Sequence, residues 1–276
     1  MFKIFFKKKI VSFIIRKLKK LIKKKSLHPI QDHKTKSGYN YLYLGTDYGG
    51  WNFVDEDCLN GCTIISAGLG EDGSFDIEFA TKYNATVIIV DPTPRAIKHY
   101  EEIINSLGRS SSVSYSNDGK QPAASYDLSK LKKTNLQIIK KALWNKNEKL
   151  NFYEPQNPQH VSYSIINYQN NYLKNTKFIE VESISMDTLL KDLKLKNSNF
   201  QLLKLDIEGA EIEVINHCLN NGIMPRQILV EFDELNVAFS RGVNRVNQVN
   251  DALLSNGYTL LWTNGKADFL YYRLAN

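Results

Sequence analysis

Leu203-Lys204-Leu205-Asp206-Ile207-Glu208-Gly209-Ala210-Glu211 reads as an apolar strand that ends in a carboxylate, turns through glycine and enters a helix. Three acids this close together are expensive to bury. They are cheap at a strand's C-terminal end, where the next helix offers free N–H groups and the positive end of its dipole. In open α/β sheets, ligands bind at that edge. The acids alone fit an ordinary solvated strand-to-helix turn equally well.

A second stretch upstream changes that balance. Thr63-Ile64-Ile65-Ser66-Ala67-Gly68-Leu69-Gly70-Glu71-Asp72-Gly73-Ser74 runs from an apolar strand into Gly68-x-Gly70-x-x-Gly73, and a helix-like segment from Phe75 to Lys82 follows. Such glycines permit a tight turn and close approach of a ligand to the backbone. Thr86-Val87-Ile88-Ile89-Val90-Asp91 is then a β-branched strand capped by an acid. Asp91 falls where a nucleotide-binding α/β unit places its ribose-gripping carboxylate.

Working outward, Tyr39–Val54 predicts two short strands or an extended cap, its aromatics serving packing. Pro94 opens a helix that runs over Ala96–Leu107. Gly108–Lys133 is scarcely periodic and long for a bare connection; it reads as a lid, an acceptor-binding insertion or a surface loop. Leu136–Leu143 predicts a third strand, with Trp144 after it, and Leu150–Tyr153 a short extra one. Glu154–Asn171 reads as a loop holding His160. Phe178–Ile184 is extended and Met186–Leu193 a short helix. Phe200–Asp206 is the fourth strand, Glu208–Leu219 its helix, and Gln227–Phe232 the fifth strand, ending at Glu231. Val246–Ser255 is a helix. Tyr258–Thr263 and Ala267–Arg273 flank Asn264-Gly265, a two-residue hairpin signal. The expected fold is α/β, a Rossmann-like and mostly parallel sheet with a C-terminal antiparallel hairpin.

The chain of 276 residues is 42% hydrophobic, and its net charge of +7 is unevenly spread. Residues 1–36 hold 13 Lys/Arg and one acid, whereas the remaining 240 hold 23 basic and 28 acidic residues. A mildly acidic body argues against a nucleic-acid groove. Three cysteines, Cys58, Cys62 and Cys218, form no framework and read as free thiols in a reducing, cytoplasmic setting. Phe2, Phe5, Phe6, Ile10, Phe13, Ile14, Leu18, Leu21 and Ile22 recur at helical spacing among Lys and Arg. The expected organisation is a basic amphipathic helix over 1–25, a linker over 26–38, and a folded α/β domain over 39–276. The longest uncharged run, Ile10 to Ile15, is too short for the ~20 residues of a span. Three readings stand: a helix in an anionic membrane interface, here the inner surface, a partner-docking arm, or a leader.

These residues resemble an S-adenosylmethionine-dependent methyltransferase of the FkbM type over about residues 39–276. Lys204-x-Asp206-x-Glu208-Gly209-x-Glu211 is similar to the family's K-x-D-x-E-G-x-E. Asp91-Pro92-Thr93-Pro94, Ala142-Leu143-Trp144, Ile184-x-Met186-Asp187-x-Leu189 and Val230-Glu231-Phe232-Asp233 also fit. The family commonly carries Asp where this chain has Ser66, and Ala-Asn where it has Leu69-Gly70. The resemblance implies S-adenosyl-L-methionine as cofactor and an enzyme. Asp91 is expected on the ribose and Gly68 and Gly70 on the methionine portion. Ser66, Glu71 and Asp72 are expected nearby, with Leu143 and Trp144 flanking adenine.

Asp206 is expected to face the transferred methyl as acceptor contact or general base, with Glu231 and His160 as further candidates. Glu208 and Glu211 complement a helix dipole equally well. Asp206, Glu208, Glu211 and Glu231 offer oxygens to Mg²⁺, but no ligand spacing compels it, and no metal is expected. The expected acceptor is a sugar hydroxyl of a glycan or glycolipid, or another small molecule. A nicotinamide-dependent oxidoreductase fits the glycine fingerprint too, and a non-catalytic binding module fits the departure at Ser66.

Overall fold

The computed structural model describes residues 29–155, 163–167, 175–196, 199–236 and 240–274. The basic segment and His160 lie outside the described residues, and so does their expected conformation.

A seven-stranded sheet forms the centre, in the order β11 (Tyr258–Thr263), β12 (Asp268–Arg273), β10 (Gln227–Glu231), β9 (Phe200–Leu205), β3 (Thr63–Ala67), β4 (Thr86–Val90), β5 (Leu136–Ile139). Pairings from β10 to β5 are parallel, and β12 is antiparallel to both its neighbours. Apolar residues on consecutive positions explain why both faces are covered. Val87 and Ile89 of β4 enter one core, Ile88 and Val90 the other. On the first face lie α1 (Ser74–Tyr83), α2 (Pro94–Asn105) and the small antiparallel pair β1 (Tyr41–Leu44) and β2 (Trp51–Val54). Phe53, Phe75, Phe79 and Tyr83 pack there ring against ring. On the second face lie α3 (Met186–Asp192), α4 (Glu211–Asn220) and α5 (Ser240–Ser255).

The structure departs from the sequence reading at several elements, among them the last helix, which begins at Ser240 rather than Val246. The strand expected over Leu136–Leu143 divides at Lys140-Lys141. β5 stays in the main sheet, while β6 (Ala142–Trp144) joins β7 (Lys149–Tyr153) and β8 (Phe178–Ser185) in a separate three-stranded sheet. Each lysine pairs outward, Lys140 with Glu101 and Lys141 with Glu182, so neither stays in a buried ladder. The helix expected from Glu208 begins at Glu211, because Glu208 and Gly209 hold φ of 55° and 102° and cannot be helical. The hairpin loop spans Asn264 to Ala267 rather than two residues, with Asn264 Oδ1 accepting from the Lys266 and Asp268 N–H groups.

The 108–133 segment is ordered by contact. Gln121 N–H donates to the Glu71 carbonyl, and Tyr126 is buried with its hydroxyl accepting from Gly73 N–H and meeting His99 Nε2 at 2.9 Å. It is not a free surface loop.

Candidate active site

β3, β4 and β9 end side by side, and an open cleft lies above them. Gly68, Gly70, Glu71, Asp72, Asp91, Leu143 and Asp206 all line it. Three segments distant in sequence therefore converge on one cleft.

Gly68 is dictated by its neighbour. Its φ is +89°, and a Cβ there would lie 1.8 Å from the Asp206 carbonyl oxygen. The β3 and β9 ends are also stitched by Asp206 N–H donating to Ala67 O at 3.1 Å. Glycine is thus required for the two turns to meet, whatever the ligand.

Asp91 holds the glycine turn. One oxygen accepts from the Leu69 and Gly70 N–H groups at 3.0 and 3.2 Å; the other accepts from Thr93 N–H and Thr93 Oγ1 at 2.8 and 2.7 Å. A carboxylate has about four such sites. Asp72 is similarly engaged by Thr46 Oγ1 and Ser74 N–H and approached by Gln121 Nε2 at 3.4 Å, which ties the β1–β2 loop and the 108–133 segment to the turn. Glu71 pairs with Arg95 and, at 3.9 Å, Lys120.

Asp206 presents 37% of its side chain to the cleft. Burial, then the charges of Asp233 and Asp91, push its pKa up, and Lys204 opposes them. Glu231 ends β10 beside Asn236, outside the cleft lining, and burial plus Asp206, Asp233 and Asp268 push it up to about 8. Glu211 is fully buried and accepts from the Ile207 and Gly209 N–H groups, so it shapes the loop from within. No group of three or more His, Cys, Asp or Glu among the described residues has metal-site geometry.

Two expected contacts lie elsewhere. Trp144 follows Leu143 on a strand, so it points to the opposite face, where Nε1 donates to Glu148. Ser66 is fully buried on the α1 face, away from the cleft. The sequence reading gave no role to Tyr48, Thr93, Phe152, Tyr163 or Lys204, which also line the cleft. Lys204 was visible as a lysine inside an apolar strand. Nothing marked Tyr163 or Phe152, because the β6–β8 sheet that carries that wall forms only by long-range pairing.

A family model, the methyltransferase FkbM domain, matches residues 57–260. The chain belongs to the FkbM methyltransferase family. It is an S-adenosylmethionine-dependent methyltransferase, and membership sets aside the nicotinamide and non-catalytic readings. The crystal structure of M. jannaschii TYW2 in complex with AdoMet is similar at a TM-score of 0.28 and 10% identity, covering 88% of this chain and 90% of that one, too slight a likeness to carry an argument. No curated protein matches the chain.

Proposed function

We propose that this enzyme is an O-methyltransferase that uses the cleft above β3, β4 and β9 to methylate a sugar hydroxyl of a glycan or glycolipid. The observation that carries the reading is the convergence of Asp91 and Asp206 on either side of the Gly68 turn. The cleft fits the donor. Val90, Leu143, Phe152 and Ile165 offer an apolar wall for adenine, Asp91 borders the place for the ribose, and Gly68 and Gly70 leave the methionine portion room at the backbone. Ribose hydroxyls would share the Asp91 oxygen that meets Leu69 and Gly70 N–H. The bound donor supplies an electrophilic methyl group. The chain orients the acceptor in line with it, worth up to ~7–11 kcal/mol, and Asp206 accepts the hydroxyl proton.

The membrane part of the proposal assigns residues 1–25 to an anionic lipid interface and 39–276 to the catalytic domain; the stretch expected as a linker over 26–38 is docked on the body from Pro29 onward, with Ile30 in the core and Lys36 N–H donating to Leu261 O. Eleven Lys/Arg and no acid lie in residues 1–28. The chain enters the body at Pro29–Asp32, where Gln31 Nε2 donates to Lys266 O at the tip of the β11–β12 hairpin. That tip lies on the same sheet edge as the cleft, which supports an acceptor presented from a lipid surface. No described helix is long and apolar enough to cross a membrane.

The test is transfer of tritiated methyl from S-adenosylmethionine to glycolipid and polysaccharide fractions. Incorporation into a sugar that falls at least ~100-fold in Asp206→Asn, the size of a lost general base, supports the reading. Incorporation only into protein or nucleic acid contradicts it.

A further inference from the structure

Lysine is almost never fully buried without a partner. Lys204 of β9 is 4% exposed. Its ammonium donates to the Gly68 carbonyl at 2.6 Å, stands 3.8 Å from Asp206 Oδ2, and lies 5.5 Å from the centre of the Trp51 ring. One side chain therefore touches both halves of the cleft floor, the β3 turn and the β9 acid.

Its own charge is balanced from behind. Asp76 of α1 is 2% exposed and lies beside the fully buried hydroxyl of Ser66. Burial pushes Asp76 up to about 6, and Lys204 is the first opposing influence. Lys204 thus sits between a buried carboxyl on the helix side and Asp206 on the cleft side.

Asp206 stands among other acids, and Lys204 opposes their effect on it. Facing it are Asp91 from β4, Asp233 and Glu231 at the end of β10, Asp268 from β12, Asp76 from α1, and Tyr48 from the β1–β2 loop. Like charges disfavour a second ionised carboxylate. The donor carries a positive sulfonium and the spent product a neutral thioether, so a fixed carboxylate beside that sulfur favours the donor. On the reading that Asp206 faces the methyl, we propose that Lys204 is a positioning residue that ties the Gly68 turn to the Asp206 carboxylate. The tied pair makes the cleft prefer the sulfonium donor over its thioether product. The same preference helps release product after each turnover.

The experiment is calorimetric titration of the full chain near neutral pH with S-adenosylmethionine and, separately, S-adenosylhomocysteine. Lys204→Met and Lys204→Gln are expected to weaken the donor about tenfold more than the product, a difference of about 1.4 kcal/mol. Lys204→Arg keeps the charge and most of the ratio. An unchanged ratio in folded Met and Gln variants overturns the proposal. Asp206→Asn separates the two layers. If it leaves the ratio unmoved, the placement of Asp206 at the sulfonium fails. If it moves the ratio while Lys204→Met does not, the role of Lys204 alone fails. Should both neutral variants fail to fold, the unmutated chain still decides. Its donor preference should decline as pH falls and Asp206 takes a proton, with no such decline in Asp206→Asn; a flat profile overturns the proposal.

Discussion

At the residue scale, the sequence announced the chemistry better than the geometry. Gly68 reads as a ligand-binding glycine, yet its first task is to let β3 and β9 meet. Gly68→Ala should therefore destabilise the fold by well over ~1 kcal/mol, the size of a strained glycine replacement. Gly108→Ala, at φ +83° with nothing within 4 Å of the new methyl, should cost only about that much. Urea midpoints of both variants check this; equal losses would refute the clash. The acids on the sheet edge make a second prediction. Burial pushes Glu231 up to about 8, Glu234 to about 7 and Asp268 to about 6. The folded chain then holds protons that the unfolded chain has released, so stability falls as pH rises from about 4.5 through about 8. Glu231→Gln should flatten the upper part of that slope. Stability that rises with pH over this window contradicts the account.

At the element scale, periodicity found every strand of the main sheet, because each is an apolar run bounded by turn residues. It missed the break at Lys140-Lys141, since only tertiary pairing with Glu101 and Glu182 reveals which way those lysines point. It also ran the α4 helix back to Glu208, because a positive φ on a non-glycine residue leaves no mark in sequence. The 108–133 segment shows the same limit. Its Ser- and Lys-rich composition hides an anchor, Tyr126, whose hydroxyl meets Gly73 and His99. Tyr126→Phe leaves the Gly73 N–H unsatisfied in a buried place and should cost ~1–3 kcal/mol, read as a lower thermal midpoint. An unchanged midpoint would make the segment a passenger.

At the scale of the whole molecule, two features share one edge of the sheet: the cleft, and the point where the basic segment joins. Charge asymmetry between residues 1–36 and the rest was plain in the sequence. Their relation to the cleft was not, because it depends on Gln31 meeting the hairpin tip. If the segment binds anionic lipid, replacing Lys7, Lys8 and Lys9 with Glu in the full chain should weaken cosedimentation with phosphatidylglycerol vesicles steeply, at about 1 kcal/mol per charge near the surface. Neutral phosphatidylcholine vesicles should not bind either form. Equal binding of both forms to anionic vesicles would remove the lipid reading and leave the enzyme intact. The central claim is that the donor occupies the cleft with its ribose at Asp91. It is tested most directly by titrating S-adenosylmethionine into the full chain and into Asp91→Ala, with folding of both verified by circular dichroism. The account predicts saturable binding by the unmutated chain and a loss of at least about tenfold in the variant, roughly one charge-assisted hydrogen bond. Undiminished affinity in a folded Asp91→Ala would contradict it.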